Sequence, residues 1–230
     1  MEQTTLSTTG NHPQEGPVFS PVLRAVATVI SYITHPLFIP LIITILVVKA
    51  LPEYFVAFVH GSRRFPFDML YIRVLSISIF FPVLTLLLAR SLKFVDSIQM
   101  HTQRDRIIPY VACTIYYFWA FYAFKREGVT PPFFNAFFLG VFIAVVLAMV
   151  ANTYAKISMH TTGWGGVIGL LLMLMTGMHM NVSFPLVVTF LVAGIVATAR
   201  LILSAHTPAE IYAGFIIGIL SQWIAYGIVG

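Results

Sequence analysis

Charge is what this chain has least of. Lys, Arg, Asp and Glu make up 9% of its 230 residues, against about 25% in soluble domains. That leaves too little polar surface to face water all round. A lone cysteine, Cys113, excludes an internal disulfide. Residues 1–17 contain no Lys or Arg, which excludes the basic start of a secretory leader, so 1–18 reads as a short disordered polar tail. Paired metal-ligand spacings are missing too, with no D-x-x-D and no H-x-x-x-H anywhere. Magnesium sites need several clustered acidic oxygens and zinc needs at least three ligands. A metal-free chemistry without cofactor is therefore expected.

What the chain has is hydrocarbon. Apolar residues reach 59% and mean hydropathy is +0.91. Long apolar runs are spaced as membrane-crossing helices require. The runs are continuous rather than alternating, which favours helices over a barrel. The expected fold is all-α, a polytopic transmembrane helix bundle of about six to seven spans in a single domain, 19–230. Seven candidate spans lie at roughly 20–49, 69–92, 107–124, 132–152, 163–179, 184–203 and 209–229. Pro36 and Pro40 predict a kink or break in the first. GSRRFPFD, KREGVTPP and HMNVSFP read as turns, and GFIIG and GWGGVIG as stripes for close helix contact.

Seven crossings put the tail, the 93–106 loop, the 153–162 loop and the 204–208 corner on one face. With the candidate site residues set aside, that face keeps Arg90 and Lys93, whereas the other carries Lys49, Arg63, Arg64, Lys125 and Arg126. The positive-inside rule assigns the second face to the cytoplasm and turns the first outward, in a plasma or inner membrane. A formal net charge of +5 suits an anionic partner or loops lying on anionic lipid. Nothing in the pattern indicates nucleic acid.

Beyond His160 the remaining seventy residues hold only two charged side chains, Arg200 and Glu210, with His206 between them as R-x5-H-x3-E. A structural reading exists: Thr207 and Glu210 form a capping box with Pro208 at the first helical position, and Arg200 snorkels to headgroups. The same spacing also suits phosphate chemistry. His206 precedes a helix N-terminus, where anions bind. Arg200 offers a planar fork to phosphate oxygens, and Glu210 can fix the tautomer of a nucleophilic imidazole.

Two further clusters return to the same face. TQRDRIIPY holds Arg104 and Arg106, which also suit a basic interfacial anchor. KISMHTTGWGG holds Lys156, Ser158 and His160. Cationic donors, a nucleophile and an acid for the leaving group are what phosphoryl transfer to histidine requires.

The order of these motifs resembles the type 2 phosphatidic-acid phosphatase superfamily, the lipid phosphate phosphatases related to vanadium haloperoxidases. That family's pattern is K-x6-R-P, P-S-G-H and S-R-x5-H-x3-D. Here R-x5-H-x3-E replaces the third, with alanine for serine and glutamate for aspartate. I-S-M-H, ending at His160, keeps the serine and histidine of the second. R-D-R-I-I-P keeps an arginine and a nearby proline of the first. The likeness spans roughly residues 97 to 218. It implies a phosphohistidine on His206 oriented by Glu210, His160 as the acid, and Arg104, Arg106, Ser158 and Arg200 on the phosphate; Lys156, from the cluster itself, is a further candidate for the phosphate. The implied substrate is a membrane lipid with a phosphate headgroup, met on the non-cytoplasmic side. Two rival readings stay open: a lipid-phosphate binding or transport protein without turnover, and a small-molecule or ion transporter using Arg73, Arg200 and Glu210.

Overall fold

Local signals in the sequence decide where each helix starts. In the computed structural model, which describes residues 19–59, 67–95 and 102–229, Ser20 caps α1 (Pro21–Ile33) by accepting from the Leu23 amide. Pro36 stops that helix, and Pro40 sits in the first turn of α2 (Ile39–Ala50). At about 1.5 Å per residue neither reaches the ~30 Å of a bilayer core, so the expected first span is broken, at Thr34–Phe38. The tail 1–18 and residues Arg63 and Arg64 lie outside the described residues.

A short α3 (Pro52–Val59) follows. Then α4 (Phe67–Leu75) and α5 (Phe81–Ser91) run on as one apolar rod through a π-helical turn at Ser76–Phe80. Pro82 has no N–H to offer the preceding turn; the Phe81 amide instead bonds the Ser76 carbonyl. A 3-10 turn, Arg104–Arg106, leads into α6 (Ile107–Glu127), which Gly128 ends in the left-handed conformation. α7 (Pro132–Ala151), α8 (Met159–Gly177), α9 (Ser183–Ile202) and α10 (Pro208–Val229) complete the chain.

The described residues thus hold six helices long and apolar enough to cross a membrane, the broken first span adding a seventh apolar stretch. This is an all-α polytopic bundle and a membrane protein. α7 and α8 are the most buried spans, while large apolar side chains of α4, α5 and α9 face outward, as lipid contact demands. Phe124, Phe134, Phe137 and Phe138 form an edge-on aromatic cluster between α6 and α7.

The tightest contact is between α8 and α10, through both predicted glycine stripes. A Cβ on Gly165 would lie 2.6 Å from the Phe215 carbonyl oxygen, and one on Gly169 2.8 Å from that of Ile219. The backbones touch, which requires residues without side chains. This contact holds the start of α8 against the start of α10, and so positions the charged segments.

Candidate functional site

His206 stands in the corner between α9 and α10, 8% exposed. Its Nδ1 faces two acceptors, the Lys156 backbone carbonyl at 2.9 Å and Glu210 Oε2 at 3.0 Å. A carbonyl only accepts, so Nδ1 carries the hydrogen and Nε2 is left with its lone pair. Burial, with the nearby charges of Arg200 and Arg106, pushes the His206 pKa below the ordinary imidazole range; the bonds to Glu210 and the Lys156 carbonyl oppose that shift.

The capping box and the orienting role for Glu210 are not alternatives. Glu210 Oε2 also accepts from the Thr207 amide at 3.1 Å, while Thr207 Oγ1 accepts from the Glu210 amide at 3.3 Å. One oxygen closes the helix end and holds the imidazole.

Arg106 reaches across from the start of α6 and donates to the Ile157 carbonyl at 3.2 Å. Lys156 is half-buried beside it, and burial first, then the Arg106 charge, lowers its pKa, with Glu210 opposing. Arg200 donates from Nη1 to Ser31 Oγ at 3.3 Å, and its Nε is buried with no hydrogen-bond partner. The His206 corner, Lys156, Arg106 and Arg200 therefore form one electropositive cluster at a common end of the bundle.

Two expected site residues have other surroundings. Arg104 is exposed at the head of the 3-10 turn and makes no hydrogen bond or ion pair with the other described residues of the cluster. Three residues per turn put positions 104 and 106 about 120° apart around the axis. Ser158 is 0% exposed and is the N-cap of α8. Its Oγ accepts from the Thr161 amide, and its carbonyl takes the Thr161 and Thr162 hydroxyls. This cap starts α8 at Met159 rather than near 163, so His160 belongs to the helix's first turn and not to the preceding loop.

His160 donates from Nε2 to the Ser31 carbonyl at 3.0 Å, and its ring meets His35 edge-on at 5.3 Å. His35 Nδ1 accepts from the Leu37 amide. Ser31, in the last turn of α1, and His35, in the break that follows it, lie outside the three charged segments, and no spacing in the sequence ties them to His160. The flagged break at Pro36 is the one signal that could have found them.

Of the residues named for a transport path, Arg73 stands apart from the other two. Arg73 pairs with Glu127, at the far end of α6 from Arg106, whereas Arg200 and Glu210 lie at the near end. Among the described residues no three His, Cys, Asp or Glu side chains gather in a way that could hold a metal ion.

Beside the cluster, α1 and α9 wall an apolar groove of about 410 Å³ lined by residues including Val26, Ile30, Gly194 and Ile195. Arg24 ties the start of α1 to the Ile202 carbonyl at 3.5 Å, which brings the outer end of this groove to the same end of the bundle as the cations. No protein-family model, no curated protein and no solved structure matches this chain.

Proposed function

We propose that this protein is a membrane lipid phosphatase that removes a terminal phosphate through a phosphohistidine on His206, without a metal. The observation that carries the reading is the His206 ring itself: Nδ1–H is pinned by a carbonyl and a carboxylate. That leaves Nε2 with its lone pair free to act as a nucleophile, within the field of Arg200, whose Nε is buried without a hydrogen-bond partner. An orphaned guanidinium N–H in a dry site is costly unless an anion completes it.

In the proposed reaction the Nε2 lone pair attacks phosphorus and the bond from phosphorus to the lipid oxygen breaks. His160, with its Nε2 hydrogen held by the Ser31 carbonyl, takes the proton of the incoming monoester monoanion on Nδ1 and passes it to that oxygen. Water then cleaves the P–N bond, releasing phosphate and restoring neutral His206. Arg106, Arg200 and Lys156 balance the charge on the transferring oxygens. Ser158 contributes by fixing the start of α8. The groove between α1 and α9 supports a lipid as the ester, since its walls are apolar and its lining includes Ala199 and Ile202, on either side of Arg200 in the chain. Lys49, Lys125 and Arg126 at the other end of the bundle support an outward-facing site in a plasma or inner membrane.

One observation favours a second reading, a lipid-phosphate binding or transport protein without turnover. The Nε2 hydrogen of His160 is committed to the Ser31 carbonyl, so a neutral His160 has none to give a leaving group. Phosphate release from lipid phosphates by the purified protein in chelator separates the two. The phosphatase reading predicts release that His206→Ala abolishes. Tight binding with no release, or release that survives the substitution, rejects it.

A further inference from the structure

The end of α1 leaves carbonyls without helical partners, and the site uses one of them. In an unbroken helix the Ser31 carbonyl would take the amide of residue 35, four positions on. Here the His35 amide bonds Tyr32 instead, and Pro36 has no amide to give. The vacant Ser31 carbonyl is filled by His160 Nε2, and the Thr34 carbonyl by the Trp164 indole at 3.3 Å. The end of α1 is thus capped by side chains from the first two turns of α8.

Ser31 has a second contact, from a different helix. Its hydroxyl accepts from Arg200 Nη1, and the residue is 7% exposed. One buried serine therefore touches both a histidine of α8 and an arginine of α9. With Nη1 held, the guanidinium plane is fixed and its buried Nε is left presented without a partner. With Nε2–H held, His160 keeps its lone pair on Nδ1.

We propose that Ser31 is a positioning residue of the anion site, its hydroxyl aiming Arg200 and its carbonyl setting the His160 tautomer. The broken first span is then a working wall of the site. This rests on the phosphate reading above and assigns a role to a helix that the three charged segments do not include.

The test replaces the hydroxyl while sparing the carbonyl. Ser31→Thr and Ser31→Val have the same shape and differ only in the hydroxyl, so any packing cost is common to both; Ser31→Ala is the third variant, and alanine suits a helix interior. Binding of orthovanadate, a tetrahedral anion, to the detergent-purified full chain is measured by titration calorimetry and needs no turnover. Wild type and Ser31→Thr should bind alike, with Ser31→Val and Ser31→Ala weaker by about tenfold, the scale of one hydrogen bond to a charged group. If the protein turns over, the same variants should raise KM with kcat less affected, and threonine should restore it.

Equal binding by the threonine and valine variants, with Arg200→Ala binding lost, overturns the role of Ser31 and leaves the anion site standing. Failure of the wild type to bind vanadate or any lipid phosphate removes the phosphate reading and the Ser31 assignment with it.

Discussion

His206 Nδ1 and Glu210 Oε2 lie 3.0 Å apart, and that same carboxylate oxygen accepts the Thr207 amide that begins α10. A helix end and an imidazole share one acceptor. Substitutions at Glu210 should therefore act on stability and on chemistry separately. Glu210→Gln keeps an acceptor for the amide and should leave the melting temperature nearly unchanged. It should lower phosphate release by about tenfold to a hundredfold, less than the ~10⁴ seen where an orienting carboxylate acts alone, because the Lys156 carbonyl still holds Nδ1–H. Glu210→Ala should add a stability loss of about 1 kcal/mol from the cap. Thermal melts paired with phosphate release distinguish the two effects.

The lowered His206 pKa has a defined sign. Burial and the charges of Arg106 and Arg200 lower it, against the bonds to Glu210 and the Lys156 carbonyl, so the folded protein holds this ring neutral where the unfolded chain begins to protonate, near 6.5. In that window the unfolded state binds more protons. The stabilisation is fully present above about pH 6.5 and is lost as pH falls below it. His206→Gln should flatten this part of the curve. Urea melts in detergent between neutral and mildly acidic pH, compared for both proteins, measure it.

Arg104 and Arg106 make a direct contrast. Arg106 reaches the Ile157 carbonyl within the cluster, whereas Arg104 is exposed on another side of the turn. Arg106→Ala should reduce phosphate release on the order of 10²-fold, the usual cost of one charge-stabilising donor. Arg104→Ala should cost less than about threefold, as expected for a surface position. Comparable losses from the two would show that the turn is arranged differently.

Glycines on α8 and α9 should respond oppositely. Gly165→Ala forces a Cβ against the Phe215 backbone and should destabilise by about 1–3 kcal/mol. A Cβ at Gly194 meets nothing within 4 Å, so Gly194→Leu should spare the melting temperature while filling the groove between α1 and α9. Its KM for long-chain lipid phosphates should rise several-fold, with little change for a soluble phosphate ester that has no chain.

Much of this architecture is legible in the sequence because each feature is local. Continuous apolar runs give the spans, Pro36 the break, the two glycine stripes the contact of α8 with α10, and T-P-A-E the start of α10. The R-x5-H-x3-E spacing places His206 and Glu210 one turn apart, which is all their contact requires. Ser158 is less legible: S-M-H gives no sign that its hydroxyl accepts the Thr161 amide and caps α8. Ser31 is the least legible, marked only by the nearby break at Pro36. Its contacts with His160 and Arg200 span 129 and 169 residues and arise from an orphaned helix carbonyl that only the folded chain reveals.

The most direct test is to mix the purified protein with a phosphate-labelled lipid phosphate in chelator, quench rapidly, and map the labelled residue by mass spectrometry. An acid-labile phosphoryl group on His206, absent from His206→Ala together with phosphate release, is the result expected. Phosphate release at full rate from the alanine variant, or a label on another residue, would contradict the assignment.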